Sequence, residues 1–206
     1  LSRPGFVQLY GERKDAGFST LTEDIAEDQT LLGLKSEVEV SDRLTFGLDA
    51  ETFDKDGGDR KDSAELRLAY DLTPVWSVEA GLAYLDQRIL AEPEDTGRRT
   101  DLGLRLNYQP SDDLLLYVFG QSTLSTSGRI GRNDRLGLGF DTRLSEKLSL
   151  SGEVSDGDKG AGAKAKLSYR PTADNEVYLG YTLDPTRTGA AYELVGRDRG
   201  KIVMGG

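Results

Sequence analysis

The chain has 206 residues, a formal charge of −10 and neither cysteine nor histidine. Those absences exclude disulfides, thiolate or imidazole metal sites, and every nucleophile pair built on Cys or His. Net acidity, with no basic stretch interleaved with aromatics, argues against nucleic acid as a partner.

With 25 glycines and only 36% hydrophobic residues, the composition would suit a weakly packed protein. The apolar residues nevertheless fall on one parity of successive runs, which argues against disorder. A period of two is the mark of strands with one wet and one apolar face. Residues 6–13 are weakly patterned. Over 30–41, Leu32, Leu34, Val38 and Val40 oppose Lys35, Glu37 and Glu39; over 43–53, Leu44, Phe46, Leu48 and Ala50 oppose Asp49 and Glu51. The clearest stretch is 63–87. Leu66, Leu68, Tyr70 and Leu72, then Trp76, Val78, Ala80, Leu82 and Tyr84, take one parity, while Glu65, Arg67, Asp71, Ser77 and Glu79 take the other. Pro74 cannot donate to a ladder, so Thr73-Pro74 is a turn and the stretch is a hairpin.

The hairpin recurs. Residues 100–108 set Leu102, Leu104, Leu106 and Tyr108 against Asp101, Arg105 and Asn107. Residues 113–124 set Leu114, Leu116 and Val118 against Leu115, Tyr117, Phe119 and Gln121. Residues 134–144 and 147–155 set Leu136, Leu138, Phe140, Leu148, Leu150 and Val154 against Arg135, Asp141, Arg143, Ser149, Ser151 and Glu153. Residues 162–170 and 176–183 set Leu167, Tyr169, Val177, Leu179 and Tyr181 against Lys164, Lys166, Arg170 and Tyr178; residues 197–206 alternate weakly. Short connections at 41–42, 73–74, 109–112, 145–146 and 171–175 alternate with longer charged ones at 14–29, 54–62, 88–99, 125–133, 156–161 and 184–196.

This pattern predicts an all-β, antiparallel up-and-down transmembrane β-barrel of about twelve strands, with short turns at one end and long loops at the other, as one domain over residues 1–206. A strand of eleven residues rising about 3.3 Å each and tilted roughly 40° spans about 28 Å, close to the apolar band of such barrels. Tyr70, Trp76, Tyr108 and Tyr169 lie on the apolar parity beside short turns, and Tyr84 and Tyr181 toward the long loops, where an interfacial aromatic girdle is expected. The wet parity carries charge at nearly every strand, which a sandwich core could not hold and a lumen can.

Here the sequence resembles bacterial outer-membrane β-barrels. The segments GRNDRLGLGF, LSEKLSLSGEVSDG, YLGYTLDP and GRDRG are similar to the barrel portion of large proteobacterial surface proteins. The resemblance implies a bacterial outer-membrane location, contact with membrane lipid and lipopolysaccharide, and insertion by the outer-membrane assembly machinery. The ending KIVMGG departs from the aromatic C-terminal strand usual in such barrels, so an atypical last strand or an excerpt of a longer barrel is expected.

No catalytic residues are assigned, and the chain is expected not to be an enzyme. The wet parity assigns an acidic lumen wall of Glu37, Glu39, Asp49, Glu51, Glu65, Asp71 and Glu79, and a basic wall of Arg135, Arg143, Lys147, Lys164, Lys166 and Arg170. Separated walls would set a field across a bore. The alternative is that the two walls salt-bridge and fill it. Asp54, Asp56 and Asp59 have oxygens at loop spacings suited to calcium, but without a closing Glu, and Asp-Gly clusters are also ordinary turn chemistry; no other cofactor is expected. The expected function is a passive channel for small polar solutes. The alternatives are a charge-plugged membrane anchor of a larger surface protein and a soluble β-rich binding domain.

Overall fold

A computed structural model describes residues 4–17, 26–91, 93–172, 175–183 and 201–205. The strands are β1 (Gly5–Lys14), β2 (Gln29–Ser41), β3 (Leu44–Lys55), β4 (Arg60–Asp71), β5 (Trp76–Arg88), β6 (Gly97–Ser111), β7 (Leu114–Gly128), β8 (Arg135–Ser145), β9 (Leu148–Gly157), β10 (Gly162–Thr172), β11 (Asn175–Leu183) and a short β12 (Lys201–Gly205). They hydrogen-bond in sequence order, β1 to β12, in one sheet. The ladders are antiparallel: Leu34 faces Ala50, Leu138 faces Val154, and Leu167 faces Leu179. The expected segments 184–196 and 197–200 lie outside the described residues.

Contacts divide the chain into two compact units. One comprises Leu1–Ala69, Gly81–Leu102 and Thr123–Arg132; the other comprises Tyr70–Ala80, Gly103–Ser122 and Asn133–Gly206. The first thus holds β1–β3 with the long-loop ends of β4–β7, and the second holds β8–β12 with their short-turn ends.

The short turns are built as their chemistry dictates. At Thr73-Pro74 the N–H groups of Leu72 and Thr73 donate to the Trp76 carbonyl at 3.0 and 3.1 Å, and the Thr73 hydroxyl accepts from Trp76 N–H at 3.1 Å. Register shifts occur beside three of the short turns, between Glu39 and Ser41, Arg143 and Ser145, and Tyr169 and Thr172. Such bulges bend a strand and end its pairing.

Two connections expected to be long are short. The 54–62 segment is a hairpin closed by Lys55 N–H to the Asp59 carbonyl at 2.9 Å and Gly58 N–H to the Lys55 carbonyl at 2.8 Å, with Gly58 at φ 98°; in the 156–161 segment Gly160 N–H donates to the Gly157 carbonyl at 2.8 Å, with Gly160 at φ 94°. Strands β6 and β7 also run on to Ser111 and Gly128. The ladder continues through charged residues there because backbone pairing does not require an apolar face, although the sequence pattern does.

Burial is inverted relative to a water-soluble sheet. Among the described residues the buried apolar side chains are Leu85, Phe119 and Ile130, whereas Glu65, Arg99, Asp101, Asn107, Gln121, Thr123, Asn133, Arg135, Ser155 and Ser168 are buried polar ones. The opposite parity is open: Leu68, Leu104, Val118, Leu138, Val154 and Leu179 are each about half exposed, and Leu136 is 72% exposed. A row of large exposed apolar residues along strand after strand far exceeds the patches that soluble monomers carry.

A polar sheet face as candidate channel lining

Directly opposed residues of an antiparallel pair point to the same side, so the register places each charge on a face. In the second unit, Tyr117, Gly139, Glu153, Lys164 and Thr182 form one row across β7–β11. Leu115, Asp141, Ser151 and Lys166 form the next row toward the short turns, and Arg143, Ser149 and Ser168 the one after. In the first unit, Tyr10, Gly33 and Glu51 share a row, as do Gln8, Lys35 and Asp49.

Two of these rows repeat one device. The Tyr117 ring lies over Gly139, and its hydroxyl donates to Glu153 Oε2 at 3.0 Å, two strands away. The Tyr10 ring lies over Gly33, and its hydroxyl donates to Glu51 Oε2 at 3.2 Å. Only a residue without Cβ leaves room for a ring lying across it. From Tyr117 the polar contacts continue toward β5. Arg105 Cζ stands 3.8 Å from the Tyr117 ring centroid, and Arg105 Nε donates to Asn107 Oδ1 at 2.8 Å. Asn107 Nδ2 then donates to Glu79 Oε1 at 2.7 Å and Ser77 Oγ at 3.2 Å. Chains of this kind stiffen a face only when every member is satisfied.

The residues of the expected acidic wall are placed as follows. Glu37 and Glu39 are exposed on β2, Asp49 pairs with Arg67, Glu51 accepts from Tyr10, Glu65 is buried, Asp71 is exposed at the end of β4, and Glu79 lies 3.9 Å from Arg105. On the basic side, Arg135 is 4% exposed and donates to Ser155 Oγ and the Gly160 carbonyl, both at 3.0 Å. Arg143 pairs with Asp113 at 3.2 Å, and Lys147 is exposed in a short turn. Lys166 and Arg170 both reach one carboxylate, Glu176, at 3.1 and 2.7 Å. Arg143, Lys166 and Arg170 are thus each paired with a carboxylate on a neighbouring strand or turn.

Sequence reasoning missed a buried cluster in the first unit. Arg99 Nε donates to Asp101 Oδ2 at 2.7 Å, with both residues about 4% exposed; Thr123 donates to Asp101 Oδ1 at 2.6 Å, and Arg99 Nη1 to the Gly131 carbonyl at 3.2 Å. Its signal was present, because Arg99, Asp101, Arg105 and Asn107 all lie on one parity of β6.

The residues of the calcium expectation, Asp54, Asp56 and Asp59, lie in and beside the turn between β3 and β4. Among the described residues no three acidic, His or Cys groups gather as a metal site. Asp54 and Asp56 are exposed, while Asp59 Oδ1 accepts from Leu90 N–H at 2.8 Å and the neighbouring Lys55 pairs with Glu27 at 3.0 Å. The Asp-Gly cluster makes a turn. The six aromatics of the expected girdle lie on the open face: Tyr70, Trp76, Tyr84, Tyr169 and Tyr181 are exposed and Tyr108 half-buried, with Trp76 and Tyr108 ring centroids 4.5 Å apart.

A sequence-ordered antiparallel meander with leucines on one face and ion pairs on the other is the pattern of membrane-spanning β-strands. The sequence matches the outer membrane protein beta-barrel domain family over residues 32–195, and the chain belongs to that family. It is accordingly a protein of the bacterial outer membrane. Among solved structures it is similar to the KdgM porin in complex with disordered oligogalacturonate, at 13% identity and TM-score 0.50, covering 87% of this chain and 90% of that one. It is also similar to the KdgM porin alone (14%, 0.48, 87% and 90%) and to the toluene transporter TbuX of Ralstonia pickettii (15%, 0.49, 85% and 71%). At these identities the first likeness is one of fold. No curated protein sequence matches the chain.

Proposed function

We propose that the strands close into a twelve-strand barrel that conducts small polar solutes passively across the outer membrane. The observation that carries this reading is that the polar face is open at the short-turn end of the second unit. In the second unit it holds a cavity of about 390 Å³ lined by Asp141, Ser151, Lys166 and Ser168, with Lys166 and Arg170 about half exposed or more. A lumen plugged by its own charges would have buried them. Twelve strands about 4.8 Å apart and tilted about 40° would enclose a backbone diameter of roughly 24 Å, a narrow bore once side chains are added. The lining would be the acidic residues from Glu37 to Glu79 and the basic residues from Arg135 to Arg170 named above. The exposed leucines would meet lipid and the aromatics the two interfaces, with lipopolysaccharide and the assembly machinery as the corresponding partners.

Planar-bilayer recording of the purified chain tests the proposal. Discrete conductance steps are expected. An inserted, folded protein without conductance would leave the anchor reading in place.

A further inference from the structure

Resting on the channel reading, we propose that Glu176 sets the ion preference of the short-turn mouth. It holds Lys166 and Arg170 against the wall in a clamp and is the fourth carboxylate against three cations, so that this mouth favours cations. The cavity at this end lies wholly within the second unit and carries Arg143, Lys166 and Arg170 beside Asp112, Asp113, Asp141 and Glu176. Three cations against four carboxylates leave this lining at −1, and without the Glu176 carboxylate it would be neutral. Glu176 Oε1 accepts from Lys166 Nζ at 3.1 Å, Oε2 accepts from Arg170 Nε at 2.8 Å, and Arg143 is held by Asp113 at 3.2 Å. Lys166 Nζ also stands 4.7 Å from the Tyr178 ring centroid, a second attraction that draws it back to the wall.

Asp112 and Asp141 are exposed and make no ion pair among the described residues. Glu176 offsets one of the two cations it clamps, the Arg143–Asp113 pair is neutral, and Asp112 with Asp141 brings the mouth to a net charge of −1 for a passing ion. Reach matters as well as charge. The bulge between Tyr169 and Thr172 breaks the regular pairing of β10 with β11, and Lys166 and Arg170, four residues apart on β10, meet at one carboxylate on β11. A unit charge about 6 Å from an ion in water changes its occupancy by about threefold, which is enough to set a preference in a narrow passage.

The test is the reversal potential of the full chain in planar bilayers under a KCl gradient. The wild type is expected to prefer K⁺ over Cl⁻. Glu176→Gln releases both cations and should lower the K⁺/Cl⁻ permeability ratio by about three- to tenfold. Lys166→Gln, which leaves a neutral Glu176–Arg170 pair, should raise the ratio, but by less than it does when added to Glu176→Gln, where the released ammonium is no longer held against the wall. Glu176→Asp, one methylene too short to hold both cations, should give an intermediate ratio and provides a second reading if the Gln variant folds poorly. A wild-type channel preferring Cl⁻ would overturn the clamp, as would a Lys166→Gln effect equal in both backgrounds. In either case the channel reading would stand, whereas a folded protein with no current removes both.

Discussion

Replacing Leu138 with Arg separates the two environments the open face could occupy. Leu138 is 56% exposed, and its cross-strand neighbours Val118 and Val154 are 51% and 54% exposed. In a water-soluble sheet, Leu138→Arg would be a surface change within about 0.5 kcal/mol of neutral. In a bilayer, an Arg on the lipid face costs about 2–4 kcal/mol at the midplane and about 0–1 near the interfaces. Leu138 lies two residues from the middle of β8 (Arg135–Ser145). At about 3.3 Å per residue and a tilt of about 40°, that is roughly 5 Å from mid-depth. The expected cost is therefore about 2–3 kcal/mol, a roughly 30- to 150-fold loss in the folded-to-unfolded ratio. Urea titration in phospholipid vesicles measures it, with Trp76 as the single tryptophan reporter. Ser151→Arg, on the polar face beside the cavity, should cost little. If Leu138→Arg proved neutral, or less damaging than Ser151→Arg, the assignment of faces would be wrong.

Two further outcomes follow in the same titration. A Cβ at Gly139 would meet the Tyr117 ring and approach the Gly152 carbonyl to 2.8 Å, so Gly139→Ala should destabilise by about 1–3 kcal/mol. At Gly120 the nearest atom is Leu136 Cδ1 at 3.7 Å, and Gly120→Ala should be tolerated. Arg99→Ala strands the buried Asp101 carboxylate and should cost about 3–5 kcal/mol, while removing both partners together should cost less than removing Arg99 alone.

The strands were legible because a barrel wall imposes opposite chemistry on alternate residues. Leu102, Leu104 and Leu106 against Asp101, Arg105 and Asn107 read as β6 before any coordinates, and the burial agrees residue by residue. Strand ends were not legible. Residues 60–62, 97–99 and 125–128 belong to ladders, yet they read as loop because both of their faces are polar there. Hydrogen bonding continues where the hydrophobic signal stops, and only the signal is written in composition.

For the polar face, parity fixes which side a charge lies on but not what it meets. Partners depend on register: Tyr117 and Glu153 are 36 residues apart and meet only because β8 presents Gly139 between them. Glycines on the wet parity of Leu136–Phe140 were the available signal, because a gap in one strand of a wall implies a ring from its neighbour. Register also governs the field. A tally by strand gives an acidic half and a basic half, as though each charge acted alone. In the structure Arg67 is spent on Asp49, Arg105 lies beside Glu79, Arg143 is spent on Asp113, and Lys166 with Arg170 on Glu176, each partner on an adjacent strand or turn. A pair a few ångströms apart acts as a dipole whose field falls off faster than that of a lone charge. At the short-turn end of the second unit the field is therefore set by what the pairs leave over, the carboxylates of Asp112 and Asp141 against the one cation Glu176 does not offset.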